Sequence, residues 1–345
     1  MKYRLNSLPV KTTNGFHIND VEVDLEIPKF QMKQEYQISG DISSLTINHC
    51  IKKEECSSRI GLSFDTYYLL SIVVPHGVVV DEPILIEYDF QKDDILFDVI
   101  DITYEENSSC SFVFKYVSKD QENHFHHLIE KVHSGDSSSG NITIINQLNE
   151  KSKSFYALEN SLDENSSIIH TLIDIGASLK INNVYSELTG FSSQNCLNTI
   201  YFGQDHDLLD YQYYLKNIGK ETHNTMNVQG VLKDFSHKKF RGTIDFIEGC
   251  SHSIGEEQEN CVLLSDDCIS RSLPQMLCGE EDVVGSHGVS SGKVSEEKLF
   301  YLMSRGYSKK EAEKILVMAG FQEILQNVPS SLQQDLMDCF EQKLS

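Results

Sequence analysis

From about residue 61 to residue 265 the chain is written in short runs of Val, Ile, Leu, Phe and Tyr, broken by clusters of Ser, Asn, Asp and Gly. Such runs cover Tyr67 to Val74, Val78 to Tyr88, Ile95 to Tyr104, Ser111 to Val117, Ile142 to Ile145, Ser167 to Ile175 and Leu179 to Leu188. They continue at Cys196 to Phe202, Asn224 to Leu232 and Phe240 to Ile247. Runs rich in β-branched and aromatic residues, bounded by turn formers, predict strands. Several alternate in period two, which sends successive side chains to opposite faces. Leu208 to Leu215 alone has a pattern that also admits a helix. Between Pro28 and Pro274 the only prolines are Pro75 and Pro83, so the turns rely on stretches such as Asp136-Ser137-Ser138-Ser139-Gly140. Many strands at uneven spacing predict a sandwich, a barrel or a β-solenoid, and no strict short repeat selects among them. A stacked β-helix has one point in its favour: each turn buries its inward side chains against the next, which tolerates degenerate repeats.

The two ends read differently. In residues 1–60, Val21, Val23, Leu25 and Ile27 alternate with acidic residues and predict one strand, ended by Pro28, in an extension of strands and turns. Residues 61–292 form the β-rich body, and residues 293–345 are helical. Ser295 caps a first helix with Glu296 and Glu297 in its first turn, and Gly306 stops it. Ser308 and Glu311 make a capping box for a second, with Ala312, Ile315, Leu316 and Ala319 on one face. Phe321, Ile324, Leu325 and Val328 lead to Pro329 and a last amphipathic segment. Three short helices cannot form a large core alone, so they dock on the β body, on a partner, or on both.

Charge separates these parts further. The 345 residues carry 52 acidic and 29 basic side chains, a net charge of -23. From Lys293 onward there are 7 basic and 8 acidic residues, so the tail has a net charge of -1 and the body -22. An acidic body argues against nucleic-acid binding, which needs Lys and Arg for phosphates. No apolar run is long enough for a membrane helix, and the start lacks the apolar stretch of a secretory signal, so a cytoplasmic protein is expected. The nine cysteines contain no Cys-x-x-Cys pair and are odd in number, which argues against both a zinc site and a disulfide framework.

Little of the chain announces catalysis. Gly-x-Ser-x-Gly, a Walker lysine loop and Gly-x-Gly-x-x-Gly are all missing, and no two carboxylates stand out as a glycosidase pair. His124 and His126 share a strand face, a weak metal signal without a spaced carboxylate; His206 and His237 read as surface residues. The densest segment runs from Cys268 to Gly292 and holds Cys268, Cys278 and His287 around Glu280-Glu281-Asp282. Thiolate and imidazole bind soft or borderline metals such as iron, whereas a buried, hydrogen-bonded His287 at the junction of sheet and helices is the plain alternative.

The same segment carries a family resemblance. Asn260-Cys261-Val262-Leu263-Leu264-Ser265, Pro274-Gln275, Ser286-His287-Gly288-Val289-Ser290-Ser291-Gly292-Lys293-Val294 and Leu299-Phe300-Tyr301-Leu302-Met303-Ser304-Arg305-Gly306 resemble the C-terminal signature of SufB/SufD scaffold proteins. Met226 to Asp234 and Phe240 to Ile244 resemble the late strands of the same family. The resemblance implies a mainly β fold, a right-handed parallel β-helix with a small C-terminal helical domain. It implies a non-enzymatic scaffold for iron–sulfur cluster assembly, holding a transient, nascent cluster fed by a cysteine desulfurase system. It further implies dimerisation through the β-helix, with a paralogue or with itself, and helices that grip a SufC-like ABC ATPase, so that ATP enters only through the partner.

Carried over by position, His287 matches the interface histidine of the SufD branch and Cys268 the sulfur-accepting cysteine of the SufB branch, with Cys278 a further metal candidate. Leu299, Phe300, Tyr301, Arg305, Ile315 and Phe321 are the candidate partner contacts. Gly285 replaces the cysteine usual before Ser-His-Gly in the SufD branch, and Gly288 the glutamate usual after the histidine in the SufB branch. These departures set the chain apart from both branches, and its length, shorter than typical SufB proteins, is what a compact SufD-like form that pairs with itself would have. Two other readings stand beside it: a β-helix polysaccharide lyase or hydrolase, and a structural subunit that activates the ATPase without holding a cluster.

Overall fold

The computed structural model describes residues 1–12 and 14–344. Its body is a parallel β-solenoid of about 8 turns, built from two facing nine-stranded sheets. Successive strands alternate between the sheets, so each strand pairs with the strand two further along the chain. Ser109 lies beside Ser139, Ser139 beside Ser167, Ser167 beside Gln194, Gln194 beside His223, His223 beside Ile254 and Ile254 beside Val284. The repeat is therefore 27 to 31 residues long along this sheet, too long and too variable to show as a short sequence period. Only the outermost strand of each sheet, Gln37–Ser39 or Thr46–Lys52, runs antiparallel and closes the first-turn end.

Alternation selects the interior. One inward column runs Phe112, Ile142, His170, Leu197, Met226, Glu257 and His287, each beside the next in register. In the facing sheet the column Leu70, Ile100, Glu130, Leu158, Val184, Tyr213, Gly242 and Pro274 does the same. Apolar members of these columns pack into one continuous core. The corners also repeat: Asn107, Ser137, Asn165, Ser192 and Glu221 all take φ between 54° and 58°. Each backbone N–H there donates to a carbonyl in the next turn, as Asn107 does to Asp136 at 3.0 Å. Asn and Ser at such corners follow the turn chemistry expected; Glu221 shows the position is set by the stacking.

Each outer face has its own cover. The N-terminal segment lays Leu5, Val21, Val23, Leu25 and Phe64 over Phe97, Phe125, Phe155 and Ile181. It is pinned by the buried Arg241–Asp210 pair, to which Asn6 Nδ2 donates at 2.7 Å. On the other face, helices α2 (Lys309–Leu325) and α3 (Ser330–Lys343) cover Val113, Ile145, Ile173, Ile200, Phe202 and Val231. Helix α1 (Glu296–Ser304) buries no residue.

Several expectations shift. Leu208–Asn217, which also admitted a helix, is a strand; Phe125–Ser134 extends the strand on which His126 is placed, and Lys153–Leu162, Ile254–Leu263, Ile269–Cys278 and Val284–Gly292 are strands outside the expected runs. They are rich in polar residues, and parallel pairing on both sides makes them strands despite weak intrinsic preference. The run expected at Val78 to Tyr88 becomes strand only from Ile84 to Phe90. In α2 the buried residues are Ala312, Val317, Met318, Phe321, Ile324 and Leu325, while Ile315 and Ala319 point to solvent. The helix has apolar residues over a wide arc, and the sheet beneath decides which of them face inward.

Candidate functional site

The solenoid ends in an open turn. Ile269–Cys278 and Val284–Gly292 are the last strands of the two sheets, and among the described residues nothing pairs with their outer edges. No residue in either strand is fully buried. An uncovered strand edge offers a row of free N–H and C=O groups for pairing with another chain.

Three candidates from the sequence sit on or beside this turn, at different points. His287 is exposed and directly follows Glu257 in its inward column. A Cβ on Gly285 would come within 2.5 Å of Met276 Sδ, so Gly285 faces Met276 across the interior and His287 stands opposite the region of Pro274. Cys268 precedes the strand on that facing sheet; its thiol donates to Ser265 O at 3.0 Å, and the residue is buried. At about 3.3 Å of rise per residue, Cys268 and His287 are on the order of 20 Å apart along the turn. Cys278 is exposed at the far end of its strand. One chain therefore does not gather Cys268, Cys278 and His287 at one point. Among the described residues no three His, Cys, Asp or Glu side chains come together as a metal site.

Beneath the open turn lies a polar layer that the sequence did not announce. Lys238 pairs with Glu259, and Tyr201 donates to the same carboxylate at 3.0 Å. Lys238 also donates to Ser272 Oγ at 2.8 Å, reaching up into the last turn. Glu257, in the same strand as Glu259, is 3% exposed, and neither of its carboxylate oxygens has a hydrogen-bond partner. Its carboxylate occupies the space above Gly242, where a Cβ would fall 2.1 Å from Oε1. Burial, reinforced by the charge of Glu259, pushes the Glu257 carboxyl up to about 8. Burial likewise raises the Cys261 thiol, which is the next inward residue after Glu259. The segment Ile254-Gly255-Glu256-Glu257-Gln258-Glu259 reads as a solvated acidic run; its one signal was that Glu257 and Glu259 are two apart and share a strand face.

The histidine cluster expected on one face is explained by carboxylates. His124 contacts Asp120 at 2.7 Å and His126 contacts Asp98 at 3.0 Å, both inside the first turns. His127 points the other way, against Phe64 and Phe155, and burial lowers its pKa to about 3. His206 and His237 are exposed, as expected.

The helical tail presents a separate surface. Phe300 is 75% exposed, Tyr301 and Met303 are exposed beside it, and Arg305 lies 5.2 Å from the Tyr301 ring. Leu299 is half-buried in a groove with Leu264, Asp266, Lys293, Phe300 and Met303. Ile315 is exposed, but Phe321 is 2% exposed and packs tilted against Phe340, with ring centroids 4.8 Å apart. Phe321 holds α2 on the sheet and is not available to a partner in this arrangement.

The family model described as "SUF system FeS cluster assembly, SufBD core domain" matches residues 89–320, more than half of the chain. The iron–sulfur cluster assembly protein SufD of Bacillus subtilis (strain 168) is 23% identical over 331 residues, covering 91% of this chain and 75% of that protein. SufD of Escherichia coli (strain K12) is 23% identical over 150 residues, 44% of this chain and 35% of that protein. The SufBD family protein ycf24 of Antithamnion sp. is 22% identical over 168 residues, 49% of this chain and 57% of that protein.

Proposed function

The chain belongs to the SufBD family of iron–sulfur cluster assembly proteins, and from that premise we propose that it is a non-enzymatic scaffold subunit. It joins a second scaffold chain through the open last turn and an ABC-type ATPase through α1, and a nascent cluster is its cargo. The observation that carries this reading is the uncapped turn formed by Ile269–Cys278 and Val284–Gly292, whose bare edges carry His287 and Cys278. Closed solenoids protect such edges, and this one leaves two parallel strands ready to pair. The roughly 20 Å between Cys268 and His287 fits a dimer in which a cysteine of one chain meets a histidine of the other. Self-pairing makes that contact in one protein; a paralogue would supply it in a heterodimer.

The helical tail supports the division of labour. It is nearly neutral while the body is strongly acidic, and its first helix keeps Phe300 and Tyr301 in solvent. Exposed aromatic side chains beside an arginine are typical anchors of a protein interface. We read the protein as working in the cytoplasm, with a cysteine desulfurase system as the sulfur source; all nine cysteines are free thiols. Anaerobic reconstitution with iron and a sulfur donor tests the scaffold reading. Visible cluster absorbance that falls in Cys268→Ser and His287→Ala is the expected result. A complete absence of cluster in the wild-type complex with its ATPase would leave the purely structural subunit as the better reading.

A further inference from the structure

We propose that Glu257 and His287 form an oxygen–nitrogen site for a divalent metal ion inside the open last turn, separate from the cysteines. Glu257 and His287 are neighbours in the ladder and belong to one inward column, so both side chains project into the same space. Adjacent strands lie about 4.8 Å apart, and metal–nitrogen and metal–oxygen bonds of about 2.1 Å span that gap with one ion between the groups. No imidazole nitrogen lies within ion-pairing distance of the carboxylate, so the two are not already satisfied by each other. Both Glu257 oxygens are without a partner although the residue is almost wholly buried. A buried carboxyl with no partner is unfavourable as an anion, and a cation taking the place of its proton would satisfy both oxygens.

The neighbours single out Glu257 rather than the acidic layer as a whole. Glu259, two residues on, is matched by Lys238 and Tyr201. Gly242 on the facing sheet leaves the room that the Glu257 carboxylate fills, which any side chain there would take. Above the pair, the turn is open, so an ion enters from the exposed edge and keeps its remaining coordination positions facing outward. A carboxylate with an imidazole suits Fe2+ and its spectroscopic stand-in Co2+, and disfavours the soft ions that seek thiolate. Cys268 and Cys278 lie elsewhere along the turn, so a metal held here is kept apart from the thiols until a second chain or a sulfur donor brings them together. That the ion is iron rests on the assembly role proposed above; the site itself does not.

The test is anaerobic titration of the full-length protein with Co2+, read by visible absorbance and by calorimetry. The expected result is a Co2+ complex with ligand-field bands and no thiolate charge-transfer band. Glu257→Gln and His287→Ala should each weaken binding at least about tenfold, while Cys268→Ser and Cys278→Ser leave it unchanged. Glu257→Gln is nearly isosteric, and its circular dichroism melt checks that it folds. If it does not fold, His287→Ala, at an exposed position, decides alone. Unchanged Co2+ affinity in the folded variants, or a charge-transfer band lost with either cysteine, overturns the site. Normal Co2+ behaviour together with failed cluster reconstitution would leave the site standing and remove the cluster-holding role.

Discussion

Lys238 and Glu259 form an ion pair across the interior of the turn beneath the open one, with both side chains wholly removed from solvent. A buried pair contributes little net stability compared with apolar residues of the same volume, but leaving one charge behind is severe. Lys238→Met and Glu259→Leu should each lower unfolding free energy by about 3–5 kcal/mol, while the double variant recovers most of the loss. Denaturant midpoints of the four proteins check this. Additive losses in the double variant would show that the pair is not a unit.

His127 carries a pH dependence. Its folded pKa is lowered to about 3 by burial, with the charge of His126 adding to it, while in the unfolded chain it titrates near 6.5. The unfolded state therefore binds the extra proton first as pH falls. Stability from this residue is complete above pH 6.5 and is lost toward pH 3, with a slope approaching about 1.4 kcal/mol per pH unit. His127→Phe, which keeps the ring between Phe64 and Phe155, should flatten that part of the stability profile. An equally steep profile in the variant would assign the acid loss to other groups.

Helix α1 separates binding from folding. Phe300→Ala with Tyr301→Ala removes exposed surface and should change stability by less than about 0.5 kcal/mol. If α1 docks an ABC-type ATPase as proposed, the same variant should lose co-elution with it on size-exclusion chromatography. Retained co-elution would move the partner surface off α1.

Phe321 predicts the opposite behaviour. Phe321→Ala empties a buried position between α2 and Phe340 and should destabilise by about 3–5 kcal/mol, with increased proteolysis within the tail after residue 293. A thermal melt and limited proteolysis read both effects. A wild-type melt would mean that the helices are held on the sheet by other contacts.

Short-range chemistry made part of this molecule legible in its residues alone. Tyr67–Val74, Ile95–Tyr104 and Leu179–Leu188 are strands with the bounds expected, because alternation and β-propensity act within a few residues. The caps at Ser295 and Ser308 form as expected, since a hydroxyl needs only the N–H three positions on. The segment signature from Asn260 to Gly306 carries the family resemblance in its residues alone.

What escaped the sequence depends on partners far away in the chain. The stacking of Asn107, Ser137, Asn165, Ser192 and Glu221 repeats in backbone angle and not in residue type, so periodicity alone left the solenoid among sandwich and barrel alternatives, and only the family resemblance pointed to the parallel β-helix that forms. Which apolar residues of α2 face inward was decided by the groove beneath, not by its own periodicity. The separation of Cys268 from His287 follows from which residues the facing sheets set opposite each other. Glu257 looked like one more solvated acid in an acidic run. Only the register of parallel strands, joining residues about 30 positions apart, buried it beneath His287 and left both its carboxyl oxygens without a hydrogen-bond partner.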